Sequence, residues 1–195
     1  FPVLPPRTWC SSPSTPAGQR SDSRKREASP PMLQWKTASL AEMPFRQALL
    51  SDPATMAYNA PWAPPTGCLD FPVTKWAPWL ERWTSHAPER FCAYLLSPEG
   101  QPVGEISWDD YGAEISTIIH AAYRGKGYGL EGLRILAALA FRHEEISCLC
   151  NHFEASRIPA LRVHQKAGFE IAGEEDGLLT LRLSREQWLR GISAP

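Results

Sequence analysis

The chain has 195 residues, 43% of them hydrophobic, and a formal net charge of −1 at pH 7, which is ample for one domain with its own core. That near-neutral balance speaks against nucleic acid or an anionic membrane as the main partner, and no apolar run approaches the roughly 20 residues of a membrane-spanning helix. The five cysteines, at 10, 68, 92, 148 and 150, are odd in number and irregularly spaced, so they are no disulfide framework and fit a reducing cytoplasm.

Residues 1–31 hold seven of the nineteen prolines, many serines and the basic run Arg24-Lys25-Arg26. Such a composition buries too little apolar surface to offset ordering entropy. It is expected to be a disordered extension ahead of one domain over 32–195. A short strand is expected from Met32 to Thr37. Ser39 and Glu42 then form a capping-box pattern that starts a helix through Phe45, Ala48 and Leu49. Residues 52–73, rich in proline, read as a long ordered loop. Trp76, Trp79, Leu80 and Trp83 follow at the spacing of one helix face; packing in the core is their ordinary fate. Phe91–Leu96 and Pro102–Trp108 read as strands joined by Pro98-Glu99-Gly100, and 113–120 as a third strand. A helix through Leu130, Leu133, Ala137 and Phe141 leads to a strand at Cys148–Phe153, expected to run parallel beside 113–120. A hairpin of 169–173 and 178–183 closes the sheet, and Ser184 with Gln187 caps a last helix. Cys148 and Cys150 point the same way on their strand, but no second ligand pair of zinc spacing accompanies them. They are expected to be packing thiols, with no metal bound.

Between the third strand and its helix lies Tyr123-Arg124-Gly125-Lys126-Gly127-Tyr128-Gly129. Three alternate glycines let a bulky anion approach main-chain N–H groups, the helix start adds unpaired donors, and Arg124 and Lys126 add charge. The loop has neither the Gly-x-x-x-x-Gly-Lys-Ser/Thr nor the complete Gly-x-Gly-x-x-Gly pattern. It resembles instead the Arg/Gln-x-x-Gly-x-Gly/Ala signature of the GNAT superfamily of acyl-CoA-dependent acetyltransferases, matched by Arg124, Gly127 and Gly129. A second match, Ala160 to Phe169, resembles that family's late helix ending Lys-x-Gly-Phe. Two positions depart from the family: Arg157 stands where Asn is usual, and His164 where many members have a Tyr that protonates the leaving thiolate. The resemblance covers roughly 32–190. It implies a mixed α/β (α+β) fold, a mostly antiparallel sheet of about seven strands with flanking helices. It also implies acetyl-CoA as co-substrate, held by Arg124, Gly125, Lys126, Gly127, Tyr128, Gly129 and Arg157, with the N–H of Ile118 or Ile119 polarising the acetyl carbonyl.

Amide formation needs a neutral amine, and an alkyl amine has a pKa of about 10, so a base or water chain must take its proton. On strand 113–120, Glu114, Ser116, Ile118 and His120 share one face; on its neighbour, Glu105, Ser107 and Asp109 do. Such polar alternation suits a wet cleft. Glu114 is the first candidate base because related enzymes often carry a Glu on this strand, with Glu105 and His120 close behind; His164 is the candidate acid. The leading reading is an N-acetyltransferase acting by direct attack on a small-molecule or peptide amine. Two others stay open: a CoA-binding module without transfer, and a nucleotide-binding α/β domain, against which the Lys166-Ala167-Gly168-Phe169 match counts. The sequence leaves the acceptor open and allows a homodimer.

Overall fold

The structure, a computed structural model, describes residues 33–193; the Pro/Ser-rich extension expected over 1–31 lies outside them. Among the described residues β1 (Gln34–Thr37) comes first, then α1 (Met43–Ser51), α2 (Pro53–Met56) and α3 (Trp76–Thr84). Three strands follow, β2 (Phe91–Leu96), β3 (Pro102–Asp109) and β4 (Glu114–Ile119), and then the long α4 (Tyr128–Ala140). The second half holds β5 (Cys148–Glu154), α5 (Ile158–Lys166), β6 (Glu170–Glu175), β7 (Leu178–Ser184) and α6 (Arg185–Ser193).

The local chemistry explains most of these boundaries. Ser39 donates from its N–H (3.1 Å) and hydroxyl (2.6 Å) to the Glu42 carboxylate, which fixes the turn into α1. Ser184 and Gln187 bond reciprocally at 2.8 and 3.2 Å to open α6. Asp176 and Gly177 both take positive φ between β6 and β7, the conformation that a tight hairpin turn requires. The segment expected to be loop after residue 52 instead contains α2. Asp52 accepts from the Thr55 N–H at 2.9 Å and Pro53 occupies the first helical position, where its missing N–H costs nothing.

Among the described residues, seven strands form two antiparallel sheets, in the orders β1-β2-β3-β4 and β5-β7-β6. The expected parallel ladder between 113–120 and 148–153 is therefore corrected: β4 and β5 are neighbouring edges of separate sheets. The crossover rule governs strands within one sheet. Here a single apolar core spans both sheets and replaces the ladder as the tie between them. It joins Ile106, Trp108 and Ile115 of the first sheet to Leu133, Leu136 and Ala137 of α4 and to Leu149, Phe153, Leu179 and Leu181 of the second.

The other face of the first sheet packs Tyr94 and Ile118 against Met43, Leu49, Leu50, Met56 and Phe71, with Trp76 and Trp79 partly buried beside them. The tryptophan stripe of α3 thus covers that face. At the far end, every residue of β6 is exposed.

Close approach of α4 to the first sheet depends on Gly132, where a Cβ would lie 2.8 Å from Leu95 Cδ1 and 3.3 Å from Thr117 Cγ2. Gly132→Leu should overpack this contact and destabilise the protein by about 1–3 kcal/mol, measured as a lower denaturant midpoint at unchanged slope.

Candidate active site

The glycine loop ends in a helix start that has no side-chain cap. Gly125 and Gly127 sit at φ 79° and 86°, the left-handed region that glycine enters at little cost. A Cβ on Gly125 would meet no heavy atom within 4 Å, so the loop opens onto free space. The N–H groups of Leu130 and Glu131 turn back to the Gly127 carbonyl at 3.1 and 3.2 Å. Those of the preceding residues have no carbonyl one turn back and form the positive end of α4. Tyr128 has its ring buried in the core, so only its main chain faces this site. Lys126 lies with Nζ 5.4 Å from the Tyr123 ring centroid.

Arg124 is placed differently from the expectation of a direct phosphate contact. Its guanidinium donates to the carbonyls of Ile119 (3.2 Å), Ala54 (3.0 Å) and Thr55 (2.7 Å). Thr55 Oγ1 in turn accepts from the Ala121 N–H at 2.9 Å and donates to Asp52 Oδ2. The Thr55 hydrogen bonds hold the Asp52 carboxyl below its ordinary pKa. His120 accepts from the Ala122 N–H through Nδ1 at 3.2 Å, and its Nε2 lies 3.9 Å from Asp52. Arg124 and His120 thus clamp the short α2 onto the start of the loop.

Register separates Ile118 from Ile119, which the sequence left as alternatives. His120 donates its N–H to Val103 on the β3 side at 3.0 Å, and main-chain groups alternate sides along an antiparallel strand. Ile118 therefore faces β3, while Ile119 turns its N–H and C=O toward the open edge of β4. The Arg124 bond to the Ile119 carbonyl agrees with that direction.

The candidate acids and bases occupy contrasting surroundings. β3 and β4 pair Glu105 with Ile118, Ser107 with Ser116, and Asp109 with Glu114, so the two polar faces read from the sequence are one face. Glu105 is 3% exposed. Burial raises its pKa, with the Arg46 charge pulling less strongly the other way. Arg46 Nη1 reaches both carboxylate oxygens at 3.2 Å, and its guanidinium stacks 4.0 Å from the Trp79 ring centroid and 4.8 Å from that of Phe71. Sequence reading missed Arg46; its signal was a lone cation beside the apolar Phe45 in α1. Glu114 is exposed at the far end of the same face. It lines a cavity of about 300 Å³ with Trp83, Ser107, Asp109, Ile115 and Ser116. Asp109 is held by Arg90 Nε at 2.8 Å, and no cation pairs with Glu114 among the described residues.

Two positions where the chain departs from the GNAT pattern acquire structural partners. The Arg157 guanidinium lies 4.5 Å from the Tyr58 ring centroid and 5.2 Å from that of Phe153, with Glu154 at 3.9 Å. It thereby links the start of α5 to the segment after α2. His164 is 6% exposed, held between Phe153 and Phe169 at 5.1 and 5.2 Å. A carbonyl only accepts, so Nδ1 donates to the Ala160 carbonyl at 2.9 Å. Nε2 then accepts from Asn151 Nδ2 at 2.8 Å. Both nitrogens are engaged inside the core, which is the geometry of a positioning residue rather than of an acid facing a cleft.

This architecture, a split pair of antiparallel sheets with a glycine loop opening the helix beside the split, is that of an acyltransferase. Residues 32–170 match the family model of the GNAT acetyltransferase domain, and the chain belongs to that family, which uses acetyl-CoA as co-substrate. Among solved structures, it is similar to a spermidine N-acetyltransferase from Vibrio cholerae in complex with CoA and spermine. The TM-score is 0.66 at 14% identity, over 81% of this chain and 98% of that one. An aminoglycoside acetyltransferase in complex with coenzyme A and kanamycin is also similar, with TM-score 0.62, 18% identity, and 81% and 98% covered. A search of curated protein sequences finds no match.

His164 makes the site's pH behaviour testable. Burial, partly offset by the Ala160 hydrogen bond, holds its folded pKa below the ordinary value. The unfolded chain then binds more protons, so stability falls as pH drops through about 6.5 toward the lower folded value, by up to about 1.4 kcal/mol per pH unit. Denaturant unfolding of wild type and His164→Gln across that range should show a steeper acid loss in wild type.

Proposed function

We propose that the protein transfers the acetyl group of acetyl-CoA to the primary amine of a small cationic acceptor, by direct attack in a ternary complex. The observation that carries this reading is three features strung along β4, the loop and Ile119 at one end and Glu114 at the other, roughly 16 Å apart, so that Glu114 reaches the reacting amine only through a water chain or a long acceptor. The three features are the open glycine loop, the outward main chain of Ile119, and a cavity whose one unpaired carboxylate is Glu114. Acetyl-CoA supplies an activated thioester. The N–H groups of 125–129 and the α4 N-terminus are the donors suited to its pyrophosphate. The Ile119 N–H is the donor suited to the acyl oxygen as charge develops there. The residues fit this ligand, since the loop has free space where a Cβ of Gly125 would stand.

Glu114 is assigned to the acceptor. Its carboxylate, the Trp83 ring and the Ser107 and Ser116 hydroxyls present a surface that attracts an ammonium and can hydrogen-bond an amine. Glu114 then takes the amine proton through water. That the neighbouring solved structures hold spermine and kanamycin supports a polycationic amine as the acceptor class. Glu105 serves as the buried anchor of Arg46, and His120 as the cap of the turn before the loop. Placement in the cytoplasm agrees with the reduced thiols of Cys68, Cys92, Cys148 and Cys150.

Two measurements check this assignment. Gly125→Asp adds a carboxylate at a position with room for it, at some strain from the left-handed φ of 79° that Asp enters more readily than most side chains. It should weaken acetyl-CoA binding by calorimetry at least about tenfold, or about 1.4 kcal/mol, with the fold retained by circular dichroism; equal affinity would place the pyrophosphate elsewhere. Glu114→Gln should lower kcat/KM by roughly 100-fold or more at neutral pH, with partial recovery as rising pH supplies free amine. A normal profile in Glu114→Gln, with the loss appearing in Glu105→Gln, would move the proton acceptor to the buried carboxylate.

A further inference from the structure

The packing role expected for Cys148 and Cys150 does not describe their setting. Leu149 and Phe153 of β5 are buried in the core, so the alternating Cys148 and Cys150 lie on the opposite face, half-buried. Their sulfurs are 3.7 Å apart. Arg182, which faces Cys150 across the β5–β7 ladder, directs Nε at Cys148 Sγ from 2.8 Å.

We infer that Cys148 and Cys150 form a peroxide-oxidisable dithiol, with Arg182 activating the Cys148 sulfur and Cys150 closing the bridge. A guanidinium at hydrogen-bond distance favours the thiolate, the form that attacks peroxides. The two thiols are not equivalent. Burial, followed by the neighbouring Cys148 sulfur, pushes the Cys150 thiol up to about 11, and Glu114 contributes in the same direction. The Arg182 contact falls on the Cys148 sulfur, which makes Cys148 the attacking group.

The chemistry balances with a hydroperoxide as oxidant. The Cys148 thiolate attacks one peroxide oxygen of hydrogen peroxide and the O–O bond breaks. This leaves a sulfenic acid and hydroxide, which takes a proton from solvent. The Cys150 sulfur then attacks the Cys148 sulfur, forming the S–S bond and breaking S–O. The departing hydroxide combines with the Cys150 proton as water. In sum, one dithiol loses two hydrogens to one peroxide, giving one disulfide and two waters. A bridge needs Cβ atoms about 3.5–4.5 Å apart, closer than the roughly 6.6 Å spacing of same-face neighbours on an extended strand, so β5 has to buckle at Leu149 as the bond forms.

The test is peroxide treatment of the full chain followed by peptide mapping under non-reducing conditions. Wild type should yield a Cys148–Cys150 bridge that dithiothreitol reverses. Cys150→Ser should stop at a sulfenic acid on Cys148, trapped as a dimedone adduct, and Cys148→Ser should leave Cys150 unmodified over the same time. Arg182→Gln, at an exposed position whose fold is checked by circular dichroism, should slow bridging by about tenfold or more. Absence of the bridge in wild type would overturn the inference, as would bridging in Arg182→Gln at the wild-type rate.

Discussion

Arg124 holds the site in shape by donating to three main-chain carbonyls at once. One is at the end of β4 and two are in α2, 69 and 70 residues earlier in the chain. An isolated helix of four residues has no stability of its own, so α2 depends on this contact and on the Thr55 bond to Ala121. Because Arg124 begins the glycine loop, the same bonds fix where the loop starts. The family's signature Arg therefore acts here through the geometry of the loop it anchors.

The Arg46–Glu105 pair sets the second constraint. Burying two charges is costly unless each is matched, and the match here is partial: Arg46 Nη1 meets the carboxylate and two aromatic rings lie beside the guanidinium, while its buried Nε has no partner among the described residues. The pair lies under α1 and α3 at the centre of the first sheet's second face. It forces α1, the Phe71 segment and α3 into one arrangement over β3. The cavity beside Glu114 lies two residue pairs along the same ladder, so its shape inherits that arrangement.

What was legible in the sequence was local. The loop, α4, the Ser39 and Ser184 caps and the 175–177 turn each rest on residues within a few positions of one another, where spacing encodes geometry. The α2 helix was misread because Pro53 looked like loop punctuation, although Asp52 before it and Thr55 after it are a helix start. The Arg46–Glu105 pair joins residues 59 apart, and no local pattern signals which distant carboxylate a buried arginine will meet. The split between β4 and β5 was invisible for a related reason: a crossover helix is compatible with one sheet or two, and only the shared core decides. His164 occupies a position that suggested chemistry. Its assignment as a core residue required knowing that Asn151 and Ala160 would take both its nitrogens.

The outermost strand of the second sheet has a consequence for the behaviour of the protein in concentrated solution. β6 presents a fully exposed row of residues, and Glu170, Glu174 and Glu175 are three of its six. A strand edge left open is a template on which another chain can add. Clustered negative charge on that edge repels an equally acidic strand from a second molecule, a protection that weakens as added salt shortens the screening length to about 3 Å near 1 M. Colloidal stability of this protein is thus tied to ionic strength through one peripheral strand that the chemistry of the site never touches.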